Sequence, residues 1–250
     1  MTRILLLGGT TEANLMAQAI AAAGLSGVYS YAGRTEAPMG QPIHMRVGGF
    51  GGISKLQDYL AAEAITHVID ATHPFAARMS RNAVAACAAA GVPLIALERA
   101  PWQASEGDRW THLADLGAAV AALAGPPRRV FLAIGRQHVD AFAAQPQHHY
   151  LLRLVDAPTG PLPLPQADVV VARGPFTVAA DTALMQDHGI EIVVAKNAGG
   201  KGAVAKIAAA RALGLPVLMI DRPIIPMRAA ARSVAAVMAW LGHPTTLRGE

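Results

Sequence analysis

Arg3-Ile4-Leu5-Leu6-Leu7-Gly8-Gly9-Thr10-Thr11-Glu12-Ala13 opens the chain with an apolar run, a glycine pair and the start of a helical stretch over 12–23. Five residues dominated by branched aliphatics read as a strand buried on both faces. A glycine turn from such a strand into a helix brings backbone N–H groups to the helix N-terminus, where they attract phosphate. Against the pattern G-x-G-x-x-G/A, Gly8 fills the first position and Ala13 the last, while Thr10 replaces the middle glycine. The hydroxyls of Thr10 and Thr11 are then expected to donate to a phosphate. The same residues would also form a glycine-rich helix cap that holds no ligand.

Outward from this turn, strand-like runs over 3–7, 28–32, 44–47, 67–70 and 93–97 alternate with helical runs over 12–23, 53–62 and 76–90. Such alternation implies a parallel sheet with right-handed crossovers. The rhythm breaks at 101–107, and Pro126-Pro127 follow one alanine-rich helix later, so 101–128 is expected to be a linker with a connecting helix. Alternation resumes with strands over 129–134, 150–155, 168–171, 190–195 and 217–220 and helices over 178–188, 203–213 and 233–241. The proline-rich stretch 158–165 reads as an extended surface connection of polyproline II character. The expected fold class is α/β: two Rossmann-like parallel-sheet domains, 1–100 and 129–250, with the active site in the cleft between them.

After the second strand of a dinucleotide-binding fold, an acid would hold a ribose 2′-hydroxyl and an arginine would accept a 2′-phosphate. Here Gly33-Arg34-Thr35 follows, which favours NADPH over NADH and makes 1–100 the NADPH-binding domain. A plain surface arginine is the alternative. Arg46-Val47-Gly48-Gly49-Phe50-Gly51-Gly52 places four glycines after a strand, in a loop whose backbone can approach a planar or anionic ligand. Asp70-Ala71-Thr72-His73-Pro74-Phe75 follows the next strand, at the edge where open α/β sheets bind ligands. Either His73 reaches the nicotinamide or the substrate, or Thr72 and His73 cap the helix that begins after Pro74.

Hydrophobic residues make up 53% of the chain and aromatics 5%, a balance that suits helices layered on a parallel sheet and excludes disorder. The alanine-rich run 84–90 is far short of the roughly 20 apolar residues of a membrane span. Met1-Thr2-Arg3 leads straight into the first strand without the regions of a signal peptide, so a cytoplasmic location is expected. The single cysteine, Cys87, can form no internal disulfide and is expected to be an inert buried thiol.

A net charge of +4 suits an anionic ligand or nucleic acid, and the distribution of charge decides between them. Arg136, Arg173, Lys196, Lys201 and Arg222 each follow a strand of the second half, so a parallel sheet gathers them on one edge as expected substrate-binding residues. They lack the interleaved aromatics of a nucleic-acid surface. Lys206, on the next helix, serves either a substrate carboxylate or the cofactor 2′-phosphate. Gly199-Gly200-Lys201-Gly202 lacks the spacing and the Ser or Thr of a P-loop, and His148-His149 lacks metal-site spacing, so no metal is expected. No G-x-S-x-G elbow supports hydrolase chemistry.

Together LLLGGTTEA (5–13), RVGGFGG (46–52), DATHPFA (70–76), ERAPW (98–102), AIGRQ (133–137), ARGPF (172–176), AKNAGGKGAVAKIAAA (195–210) and PVLMIDRP (216–223) cover nearly the whole chain. This set resembles the precorrin-6A reductase family, which includes cobalt-precorrin-6A reductase. The resemblance implies reduction of the C18/C19 double bond of precorrin-6A to give precorrin-6B in cobalamin (vitamin B12) biosynthesis, with NADPH as hydride donor and no flavin or metal. It implies that Gly9, Thr10, Thr11, Arg34, Gly48, Gly49 and Phe50 hold the cofactor, with Thr72 and His73 near its reactive end, and Gly8 and Arg46 are expected to join them as cofactor-binding residues. The partner it implies is precorrin-6A or a closely related anionic tetrapyrrole, with or without cobalt, and it leaves room for contact with neighbouring pathway enzymes. His73 or Lys201 is expected to assist protonation, with solvent as the alternative. The rival readings are an NADPH-dependent reductase or epimerase of another anionic or small polar substrate, and a non-catalytic NADPH-sensing protein. A sensor has no need of convergent strand-end cations.

Overall fold

The computed structural model describes residues 1–33 and 38–242. Its strands are β1 (Arg3–Leu7), β2 (Ser26–Tyr31), β3 (His44–Val47), β4 (His67–Asp70), β5 (Leu94–Leu97), β6 (Arg109–Leu113), β7 (Arg129–Ala133), β8 (His149–Leu154), β9 (Ala167–Val171), β10 (Ile192–Lys196), β11 (Pro216–Ile220) and β12 (Ala229–Ala231). The helices are α1 (Thr11–Ala22), α2 (Ile53–Ala62), α3 (Ala77–Ala90), α4 (Leu116–Ala121), α5 (Val178–Asp187), α6 (Ala205–Ala212) and α7 (Val234–Gly242), with a 3-10 helix over Arg136–Ala144. The chain forms two compact units, one of Met1–Ala100 plus the segment beginning at Ile224, the other of Pro101–Pro223.

In the first unit the strand order is β12-β5-β4-β1-β2-β3, parallel throughout. Side chains of β1 alternate between its two faces. Ile4 and Leu6 pack with Met16 and Ile20 of α1 and Val237 of α7, while Leu5 and Leu7 pack with Leu56 and Leu60 of α2 and Ala83 and Cys87 of α3. Burial on both faces is why the strand reads as an unbroken apolar run. The same burial pushes the Cys87 thiol up to about 12, so it carries no thiolate at neutral pH.

The second unit repeats the plan with order β6-β11-β10-β7-β8-β9, again parallel. Phe131, Leu151, Val193 and Val217 of its strands pack with Met185 of α5 and Ile207 of α6. Among the described residues no helix is long and apolar enough to cross a membrane.

Two of the expected domain bounds are corrected. The stretch 101–128 is not a linker, because β6 pairs in parallel with β11 and Asp115 caps α4 through Ala118 N–H. Nor does the second unit run to the end, since β12 pairs with β5 and α7 packs on the α1 face of the first unit. Both strands are sheet edges. Arg109–Leu113 has no buried residue and Ala229–Ala231 offers three methyl groups, so neither carries the apolar pattern of a central strand.

A polar latch holds β6 in place. The Arg211 guanidinium of α6 grips Asp108 with two bonds of 2.9 and 3.0 Å, and Ser105 N–H adds a third of 2.7 Å. Burial raises the Asp108 carboxyl, but the Arg211 fork and the Ser105 N–H outweigh it and hold it below its usual range. A lowered folded pKa contributes stability at neutral pH that is lost as pH falls through it. Asp108→Asn is therefore expected to cost about 1.5–3 kcal/mol in urea unfolding at pH 7. The deficit should begin to shrink below about pH 4, where the carboxyl of the unfolded chain protonates, and should vanish only below the lowered folded value. An equal deficit at pH 7 and pH 3 would rule out the charge as its source.

Candidate functional site

The order in which the chain adds strands to the first sheet switches sides between β1 and β4, the point at whose carboxyl edge open α/β sheets bind ligands. The glycine turn sits there. Gly8 N–H donates to Ser30 O at 3.0 Å, and a Cβ on Gly8 would lie 2.2 Å from the Tyr29 ring. Gly9 has φ +107, a left-handed value suited to glycine, and its N–H donates to the Tyr29 hydroxyl at 2.9 Å. That hydroxyl donates in turn to Asn14 Oδ1 at 2.8 Å, and burial raises the phenol so that it stays protonated.

Thr10 differs from expectation. Its hydroxyl caps α1 by accepting from Ala13 N–H at 3.1 Å, and donates its proton to Ala71 O at 2.7 Å. It is thus spent on joining the glycine turn to the end of β4, not on a phosphate. Thr11 and Glu12 contribute first-turn N–H groups that have no intrahelical partner. The Glu12 carboxylate, which would repel an anion, is paired with Arg99 at 2.7 Å. Arg34 and Thr35, expected at the 2′-phosphate, lie outside the described residues.

Arg46 organises the second glycine loop. Its Nη1 donates to Ser30 Oγ at 2.6 Å and Gly48 O at 2.8 Å, and its guanidinium lies 3.9 Å from the centre of the Phe50 ring. No atom lies within 4 Å of a Cβ built on Gly48 or Gly49, so the loop presents bare backbone.

At the end of β4, Asp70 is buried and its Oδ1 accepts from Thr72 N–H at 3.1 Å and from the Thr72 hydroxyl at 2.7 Å. His73 Nδ1 accepts from Phe75 N–H at 3.2 Å. Neither side chain caps α3, which starts behind Ala76 without a side-chain cap. An Nδ1 that accepts carries no proton, so the neutral His73 ring bears its proton on Nε2.

The parallel second sheet brings Arg136, Arg173, Lys196, Lys201 and Arg222 to its carboxyl edge, as strand ends require. Their surroundings differ. Lys196 Nζ donates to Ile134 O at 2.7 Å, and Arg222 donates to Asn197 O and Ala198 O, both at 3.0 Å. Lys206 is buried, donating to Ala203 O at 2.7 Å with Trp102 beside it. Lys196 ties the end of β10 to the end of β7, while Arg222 and Lys206 brace the loop after β10. Asn197 does the same, exchanging bonds of 2.7 and 3.0 Å with the Trp102 backbone, while Trp102 Nε1 donates to Gly200 O at 2.8 Å.

Lys201 is exposed, and Arg173 pairs with Asp156 at 3.1 Å on the surface. Arg136 donates to Thr159 Oγ1 at 3.0 Å and lines a recess of about 410 Å³ with Asp140, Pro158 and Pro161. The proline-rich stretch thus forms a wall, not only a connection. Among the described residues no group of His, Cys, Asp or Glu is placed to hold a metal ion.

Sequence reasoning passed over Tyr29, Asp70, Arg99, Asn197 and Arg228. Only Asp70 had a local signal, an acid closing an apolar strand at the ligand edge.

A glycine turn at the switch point of one parallel sheet, with strand-end cations on another, defines a Rossmann-like α/β protein. The family described as precorrin-6x reductase CbiJ/CobK matches residues 3–242. A precorrin-6A reductase of Rhodobacter capsulatus is 63% identical over 250 residues, covering 100% of both chains. Another, of Rhodococcus erythropolis, is 46% identical over 247 residues, covering 98% of this chain and 99% of its own. A solved structure of CobK precorrin-6A reductase superimposes with a TM-score of 0.94 at 62% identity over 100% of both chains. The chain belongs to the precorrin-6x reductase CbiJ/CobK family and is an oxidoreductase. A reductase of this family implies a nicotinamide cofactor, and the glycine turn fits one: Gly9 has open space around it and the first-turn N–H groups of α1 lie next to it.

Proposed function

We propose that this protein reduces precorrin-6A to precorrin-6B at the C18/C19 double bond, with NADPH, in cobalamin biosynthesis. The observation that carries the reading is the Gly8-Gly9 turn braced by Tyr29 at the switch point, in a chain whose relatives are precorrin-6A reductases. The N–H groups of Thr11 and Glu12 hold the pyrophosphate, and Gly8 and Gly9 let it approach the turn closely. Gly48, Gly49 and Phe50 border the cofactor, with Arg46 keeping their loop in shape. Arg34 takes the 2′-phosphate, a role supported by its place just after β2. When bound, NADPH supplies the hydride.

Thr72 and His73 stand at the reactive end. With Nδ1 accepting from Phe75 N–H, the turn fixes the orientation of the His73 ring. Forming its imidazolium would put a proton on Nδ1 and break that bond, so His73 orients rather than protonates. The proton comes from Lys201 or from solvent. Arg136, Arg173 and Lys201 receive carboxylate arms of the macrocycle, while Lys196 and Arg222 hold the backbone that presents them.

Purified protein mixed with NADPH and precorrin-6A should consume both in equal amounts, followed by cofactor oxidation and macrocycle absorbance together. Consumption of neither would end this reading. Arg34→Ala should weaken NADPH binding about tenfold and leave NADH binding unchanged, as loss of one charge-assisted phosphate contact predicts. Equal weakening for both cofactors would remove the 2′-phosphate role.

A further inference from the structure

The segment before β12 brings a cation from late in the chain to the ends of β4 and β5. Arg81 Nη2 holds Ile224 O at 2.8 Å, and Glu98 N–H donates to Ala231 O at 2.9 Å, so the segment is fastened on both sides. Between these points Arg228, its side chain 10% exposed, hydrogen-bonds Glu98 and places Nη2 3.6 Å from Asp70 Oδ2. Asp70 Oδ1 is already occupied by the N–H and hydroxyl of Thr72. Two buried atoms of the pair, the acceptor Asp70 Oδ2 and the donor Arg228 Nε, have no hydrogen-bond partner.

A carboxylate that is 2% exposed needs a cation, and Arg228 is the only one that the described residues place in an ion pair with Asp70. The cation attracts the Oδ2 side of the carboxylate, while Oδ1 of the same group holds Thr72, whose peptide leads directly into His73. From the other side Thr10 holds Ala71 O, so the turn 70–73 is set by the glycine turn on one hand and by Arg228 on the other.

We infer that Arg228 is a positioning residue for hydride transfer, acting through Asp70 on the Thr72–His73 turn. The inference rests on the cofactor placement proposed above. The segment that returns to the first unit thereby supplies the cation that faces Asp70.

The test compares wild type, Arg228→Gln and Arg228→Lys in two ways. Without any ligand, amide hydrogen exchange reads the Thr72 and Phe75 N–H groups, which are protected by Asp70 Oδ1 and His73 Nδ1. In both variants these two amides should exchange faster while β1 and α1 keep their protection. With NADPH and precorrin-6A, Arg228→Gln should lower kcat by about ten- to a hundredfold, as misplacement on the order of an ångström does. NADPH Kd should stay within about twofold, and the isotope effect from NADPH deuterated at C4 should rise as hydride transfer slows. Arg228→Lys should recover part of kcat. Unchanged exchange at Thr72 and Phe75, or a kcat kept per folded molecule, overturns the inference, as does a parallel loss of Kd and kcat. If the glutamine variant does not fold, Arg228→Lys decides by the same criteria. A wild type that turns over neither compound ends the proposed function, while the exchange result still decides whether Arg228 sets the turn.

Discussion

Gly8→Ala is expected to cost about 3 kcal/mol of stability and to weaken nicotinamide-cofactor binding about a hundredfold. The added methyl would lie 2.2 Å from two carbons of the Tyr29 ring and 2.5 Å from its hydroxyl oxygen. The ring cannot step aside cheaply, because Tyr29 is fully buried and its hydroxyl joins Gly9 N–H to Asn14. Either the ring leaves, stranding that donor and acceptor, or the turn lifts away from β2 and breaks the Gly8 N–H bond to Ser30. Both routes move the first-turn N–H groups of α1, which the proposed cofactor site depends on. Urea unfolding and cofactor titration measure the two losses. In the double variant Gly8→Ala/Tyr29→Leu the stability losses should be less than additive, since the clash is removed once. Strict additivity would show that the methyl and the ring do not collide.

Asp181→Ala should destabilise the second unit by about 3–5 kcal/mol, the usual cost of leaving a buried ion without its partner. Asp181 of α5 is 3% exposed and ion-pairs with Arg153 of β8, which is 8% exposed and stacks 3.7 Å from the centre of the Phe176 ring. Removing the carboxylate leaves the guanidinium largely buried between the Phe131 and Phe176 rings, with little water to replace its partner. Removing both charges should cost less, so Arg153→Met/Asp181→Leu is expected to recover most of the loss. Chemical denaturation of the three proteins gives the comparison. A single variant within 1 kcal/mol of wild type would mean the pair is solvated, on the scale of about 0–1 kcal/mol typical of surface pairs.

The two predictions differ in how they could be reached. Gly8 announces itself in the sequence by its place between strand and helix, although the reason for it, the Tyr29 ring beneath, does not. Arg153 and Asp181 are 28 residues apart in unrelated stretches, and nothing local marks them as partners. The same contrast runs through the ligand edges. Strand-end positions placed Arg136, Arg173, Lys196, Lys201 and Arg222 on one edge correctly, because parallel strands all end together. Their tasks were not legible. Lys196, Arg222 and Lys206 donate to main-chain carbonyls of neighbouring loops, and Thr10 gives its proton to Ala71, choices that depend on which oxygens lie nearby after folding.

By itself the sequence determined two parallel α/β units with a glycine turn at the head of the first, because doubly buried strands must be apolar and a tight turn needs glycine. Those are local demands, written where they act. Only the tertiary structure decided that β6 belongs to the second sheet and β12 to the first, and that Arg228 meets Asp70. Edge strands bury little and so carry little pattern, and an ion pair is chosen by proximity between segments far apart in the chain. The glycine turn was legible because its constraint lies in the backbone; its supports were not, because theirs lies in space.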